Sequence, residues 1–177
     1  MGMSVAESPA RVATNASEQL MQIATGFQLS ACLYVAAKLN IADLVANSGR
    51  SAEDLAASTG TNADALYRAL RALISIGIFA EPEPRIIALS PGAEPLRRDV
   101  PGSVHGLVLW AADPFMIHVS TDLLYSVETG KPAVEHLYDK PAFECVASIP
   151  RLQAAFNQGM TAISREFAPA VLDAYDF

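Results

Sequence analysis

The chain has no G-x-G cluster: its 10 glycines are spread singly through 177 residues. A nucleotide-type site needs a glycine-rich turn against a strand, so that backbone can approach the ligand. The runs rich in β-branched residues are also too short to build a parallel sheet that could carry such a turn. Cysteine is scarce. Cys32 and Cys145 lie in apolar helical stretches without C-x-x-C or histidine-paired spacing, which points to buried thiols in a reducing cytoplasm. His105, His118 and His136 are isolated from each other and from cysteine, so no metal site is expected and surface or core roles are assigned to all three. No nucleophile, base and orienting group are placed together, so no catalytic residue is assigned and a hydrolase is excluded.

Charge is scarce as well. Only 18% of residues are charged, with a formal net charge of -7. A chain of this size with so little charge is expected to cover apolar surface with a second copy of itself.

What is present begins at Ser51. Ser51 is placed to cap a short helix with Asp54 at its third position, and Gly60 breaks that helix. Asn62 caps the next, where Leu66, Leu70, Leu73 and Ile74 form one apolar stripe at spacings of three and four. Gly77 ends it, and Ile78-Phe79 enter a strand expected to pair with Arg85–Leu89 across a tip at Glu81–Pro84. Helix, turn, helix and hairpin make a winged helix. The expected fold class is therefore mainly α: a winged helix-turn-helix with a small β-hairpin wing, plus extra dimerisation helices.

Winged helices suggest DNA, with Arg68 and Arg71 on the recognition-helix position. Electrostatics oppose it. Eight acids face six arginines between Ile41 and Val100, and Glu81 and Glu83 sit where a DNA-binding wing presents cations. Ion pairing of Arg68 and Arg71 with Asp64 or Asp43 is the favoured reading, and no nucleic-acid partner is expected.

From Gln19 to Ala37 no charged residue occurs, and Leu20–Leu39 reads as a helix apolar on almost every side. Its length suits a bilayer. Gln19, Gln22, Thr25, Gln28 and Ser30 are too polar for a lipid-facing helix, and no basic flank is present, so no membrane partner is expected. The partner expected is the same helix of a second chain, with Met21, Ile23, Phe27, Leu33 and Tyr34 at the interface of an intertwined homodimer.

The residues Leu39–Asp43, Asp54–Ala56, Leu66–Leu73, Gly77–Phe79 and Leu89-Ser90 resemble the N-terminal region of S-adenosylmethionine-dependent O-methyltransferases acting on small aromatic or polyketide-like compounds of secondary metabolism. Ser126–Ala133 is similar to that family's S-V-x-T-G-x-P-A turn, Ala142–Glu144 to its F-E/D helix, and Phe156–Met160 to its F-N-x-x-M helix start. The resemblance covers roughly Gln19 to Phe177. It implies a domain that dimerises and lines the acceptor pocket, while S-adenosylmethionine and the catalytic histidine belong to a Rossmann-like domain that in the family follows the A-Y-D-F segment. The chain as given is therefore expected to bind no cofactor and to be no competent methyltransferase. By position, Trp110, Phe156, Met160 and Ile163 fall on the family's pocket walls, and Thr25 where the partner chain reaches in. Trp110, the only tryptophan, sits at a helix end beside Asp113-Pro114, where a cleft could open. Relatives that carry a Trp near Ser120 and a His near Ile163 differ here, which leaves the acceptor open. A free-standing accessory or ligand-binding protein and an acidic winged-helix regulator are the competing readings.

The expected division is a disordered tail over 1–16, a dimerisation arm and winged helix over 17–100, and a helical extension over 101–177. Short helices are expected at Ile41–Asn47 and Ser103–Ala112, and a longer one at Pro114–Val127 with Asp113 as N-cap. Gly130–Pro132 is a turn, a helix surrounds Phe143, and a last long helix from Ser148-Pro150 is kinked or restarted at Pro169.

Overall fold

The computed structural model describes residues 15–174. The expected tail lies outside them except at its end, where Asn15 already caps the first helix through its side chain and Ala16 is helical. Helix α1 (Ala16–Lys38) is followed by α2 (Ile41–Leu44), β1 (Arg50–Ser51), α3 (Ala52–Thr59), α4 (Ala63–Ile74), β2 (Phe79–Glu83) and β3 (Ile86–Leu89). A 3-10 turn (Glu94–Leu96) leads to α5 (His105–Ala111), α6 (Pro114–Thr121), α7 (Leu123–Thr129), α8 (Ala133–Tyr138), α9 (Ala142–Ser148) and α10 (Pro150–Ala174).

The helix-turn-helix forms for the reasons legible in its residues. The Ser51 hydroxyl accepts from Asp54 N–H and the Asn62 side chain from Ala65 N–H, so each helix start loses an orphan donor. Gly60 closes α3 in the left-handed conformation at φ 67. Leu66, Leu70 and Leu73 bury their side chains in a core with Ile41, Leu55, Phe79 and Ile87. The result is a helical domain with a β-hairpin wing.

The sheet differs from a plain hairpin. Its order is β1-β3-β2, all antiparallel, with Arg50 opposite Ile87 and Phe79 opposite Leu89. The short β1 was not anticipated, because two residues carry no periodicity. The turn is tighter than the expected tip: β2 continues through Pro82 to Glu83, and only Pro84-Arg85 turn. Pro82 is tolerated because β2 is an edge strand and its register shifts between Ala80 and Glu83.

Further corrections fall in the helices. The helix expected over Ile41–Asn47 ends at Leu44, and the one expected over Pro114–Val127 breaks at Asp122 into α6 and α7. At that break Thr121 turns its hydroxyl back onto the His118 carbonyl, while Asp122 accepts from the His136 ring. Helix α8 was not expected at all. The α10 assignment runs through Pro169 without a restart.

A second core joins Phe115, Val134, Cys145, Val146 and Leu152, with Trp110 and Phe156 packed against it. Helix α5 ties the two cores together: Val104 and Val108 pack on the first, and Gly106 lies against α10.

Candidate functional site

Helix α1 is an arm. Of its 23 residues only Ala36 and Ala37 are buried, both in the last turn. Ile23 is 71% exposed and Phe27 59%, and Leu20 and Met21 stand equally free. Thr25 is exposed too, its hydroxyl donating to the Met21 carbonyl. Two of the expected interface residues are partly used inside the chain instead. Leu33 packs on the first core, and the Tyr34 hydroxyl faces Asp113 at 3.4 Å. By length and composition α1 could cross a bilayer. Its exposed apolar half can equally be covered by another protein chain.

Asp113 gathers the neighbouring helices. It is 2% exposed. Its carboxylate accepts from Phe115 N–H at 2.9 Å, as expected of the α6 N-cap, and from Arg151 of α10 at 3.2 Å. Burial, with the Asp113 charge adding to it, pushes the Tyr34 phenol above its ordinary value.

The expected pocket residues do not form one wall. Trp110 and Phe156 meet edge to face at 4.9 Å, and Phe143 meets Phe156 at 6.1 Å. Met160 lies on a shallow groove along α10 beside Asn157, Thr161 and Ser164. Ile163 lines a larger cleft of about 1100 Å³ between residues 95–107 and α10. That cleft was missed in the sequence, because its two sides are some sixty residues apart.

The wing is closed on its own domain. Arg85 turns the hairpin at φ 65, unusual for a residue with a side chain. Its guanidinium pairs with Glu53 and Asp64 and lies 4.7 Å from the centre of the Tyr67 ring, while its N–H donates to the Glu81 carboxylate at 2.8 Å. The Tyr67 hydroxyl also donates to Glu81, and these two donors hold that carboxyl below its usual range. The Arg85 partnership does the same for Glu53. The expected pairing of Arg68 and Arg71 is therefore overturned: Asp64 is taken by Arg85, Asp43 by Arg98, and Arg71 lies by the Tyr67 ring at 5.8 Å.

Each histidine has its own partner. His105 is buried and bonds the Ala37 carbonyl at 3.0 Å, His118 bonds Tyr138, and His136 bonds Asp122 and stacks on Tyr125 at 3.9 Å. The described residues do not fit a nucleoside cofactor. Their sheet is small and antiparallel, and Gly60, Gly77 and Gly130 spend their positive φ at helix ends.

Residues 21–94 match the model of the O-methyltransferase dimerisation domain, and the chain carries that domain. It is 39% identical over 161 residues to phenazine O-methyltransferase PhzM of Lysobacter antibioticus, covering 91% of this chain and 47% of that protein. It is 31% identical over 173 residues to the 8-amino-8-demethylriboflavin N,N-dimethyltransferase of Streptomyces davaonensis, covering 97% of this chain and 49% of that one. The solved structure of LaPhzM superposes with a TM-score of 0.88 at 38% identity, over 93% of this chain and 49% of that chain. The chain spans about half the length of the curated relatives it matches.

Proposed function

We propose that this chain is the dimerisation and acceptor-lining part of an S-adenosylmethionine-dependent methyltransferase that modifies small aromatic or polyketide-like molecules. The observation that carries the reading is the unpartnered apolar half of α1 inside the residues matched by the dimerisation domain. Residues 17–100 supply the arm and winged helix, and 101–177 a helical extension. Met21, Ile23 and Phe27 meet the partner chain, with Leu33 and Tyr34 at the base of the arm. S-adenosylmethionine is held by the kind of sequence that makes up the rest of the relatives, since the residues here offer it no cradle. The work of this chain is to exclude water and to present an aromatic surface, Trp110 against Phe156, to which a flat acceptor gains by stacking. Met160 and Ile163, on two adjoining grooves of α10 apart from that ring pair, and Thr25 of the second chain extend the lining. The place of action is the cytoplasm, and neither DNA nor a bilayer is a partner.

Light scattering across a dilution series tests the assembly. A particle of twice the 18.8 kDa chain mass is expected. A well-folded monomer at all concentrations would remove the basis of the reading.

A further inference from the structure

Asp113 joins three elements at one buried carboxylate. Its backbone N–H donates to the Trp110 carbonyl at 3.3 Å, and its Oδ1 accepts from Phe115 N–H and from Arg151 in the first turn of α10. Next along α10, Leu152 is sealed in the second core, and Phe156, one turn further on, packs against the same core. Both halves of the Trp110–Phe156 pair are therefore held through Asp113, one by its backbone and the other by way of Arg151. Its Oδ2 is left to the arm. Among the described residues the Tyr34 hydroxyl is the donor facing that oxygen, and at 3.4 Å the bond is longer than the roughly 2.5–3.0 Å of a well-made hydroxyl bond. Asp113 is 2% exposed, so water has little access to serve Oδ2 instead. Tyr34 in turn ends the bare stripe of the arm. Leu20, Phe27 and Tyr34 recur every seven residues, with Ile23 between the first two, so all four share one side of α1. Leu20, Ile23 and Phe27 are exposed, and a chain that covers them runs up to Tyr34.

We propose that Tyr34 is a positioning residue through which the seating of a second chain on the arm tightens the Trp110–Phe156 pair. On the free arm the tie to Asp113 is slack. A second copy that covers Leu20, Ile23 and Phe27 takes away the room that leaves the Tyr34 ring loose. The hydroxyl then closes on Oδ2, and the carboxylate, filled on both oxygens, holds α5 and α10 in one fixed relation. Coupling of this kind is reciprocal, so whatever engages the ring pair also strengthens the dimer. The relay deepens the reading above and rests on it for the second copy and for the use of the ring pair.

Trp110 is the only tryptophan of the chain, so its fluorescence reads the ring pair directly. The test follows acrylamide quenching of that emission, together with particle mass, along a dilution series of the whole chain. Parent and Tyr34→Phe are compared, since the variant keeps the ring and loses only the hydroxyl. In the parent, quenching should rise as dimer turns to monomer. Tyr34→Phe should be quenched at the monomer level in dimer and monomer alike. Its dimer dissociation constant should rise about tenfold, the worth of one hydrogen bond to a charged group made only in the dimer. A merely structural residue would leave quenching and mass unlinked in the parent. If the parent dimer survives dilution, the two dimers are compared directly, and equal quenching overturns the relay. If Tyr34→Phe fails to fold, the parent series decides by itself. Equal quenching of parent dimer and monomer would overturn the relay and leave the dimer standing, as would a variant whose quenching follows its mass as the parent's does. A monomer at every concentration would overturn the dimer and the relay together.

Discussion

Gly106 and Gly159 bring α5 and α10 into backbone contact: a Cβ on Gly106 would stand 2.4 Å from the Gln158 Cβ and 3.1 Å from the Gly159 nitrogen, and one on Gly159 would stand 3.2 Å from the Leu107 Cα. The obstacle to a larger residue is mostly main chain, which cannot swing aside as a long side chain would. Gly106→Ala should therefore destabilise the chain by about 1–3 kcal/mol, the usual cost of overpacking, although alanine is the better helix former. For a domain of this size the melting temperature should fall by about 2–4 °C per kcal/mol in a thermal scan. An unchanged melting temperature would mean that the helices do not cross this closely.

Phe27 stands 59% exposed on the arm. Phe27→Asp leaves the single-chain core untouched, because Phe27 packs against neither buried cluster. The variant should keep its helical circular dichroism and run at the monomer mass, or aggregate, where the parent chain runs as a dimer. A dimer as stable as the parent's would place the interface elsewhere.

Asp113 serves the α6 N-cap and Arg151 at once. Asp113→Ala should cost about 1–2 kcal/mol for the cap alone. Asp113→Asn keeps a side-chain oxygen for Phe115 N–H and gives up the charge opposite Arg151, whose side chain is 50% exposed and so readily hydrated, together with the oxygen that accepts from the Tyr34 hydroxyl at 3.4 Å. The asparagine variant should thus unfold in urea at a midpoint between the alanine variant and the parent. Equal midpoints for the two variants would show that the charge, not the cap, is what matters there.

The wing should loosen in acid. Glu81 is held below the ordinary carboxyl value of 4.5, first by the Tyr67 hydroxyl and then by the Arg85 N–H. Since its folded value is depressed, its contribution is present above 4.5 and is lost as the pH falls through the folded value. Glu53, lowered by Arg85, acts in the same direction. Tyr67 ring signals in proton NMR should shift over that acid range, and Glu81→Gln should flatten most of the response. A response of the same size in the variant would assign it to other carboxylates.

Much of the dimerisation domain is legible along the chain because its determinants are local. The caps of Ser51, Asn62 and Asp113 each reach a backbone N–H two or three residues ahead, and the Leu66, Leu70, Leu73 stripe repeats with the helix itself. Two-residue β1 and six-residue α8 are too short to show a period. At the break Asp122 pairs with His136, fourteen residues away. The candidate site was legible only in part: Trp110 and Phe156 do meet, while Met160 and Ile163 line two adjoining grooves along α10 that share Asn157, Thr161 and Arg165 and do not include that ring pair.

Sequence alone determined most of the helical segments, though not α8 or the break at Asp122, that the run from Gln19 to Ala37 needs an apolar partner, and that no glycine-rich turn lies within these residues. Those properties reside in side-chain type and spacing over a few turns. Only the tertiary structure decided which charges meet: Arg85, not Arg68 or Arg71, takes Asp64, and Arg151 reaches Asp113. It also decided that His105, far along the chain, turns its Nε2 to the Ala37 carbonyl at the end of α1. Ion pairs and ring orientations depend on distances of a few ångströms between elements far apart in the chain, and packing sets those distances.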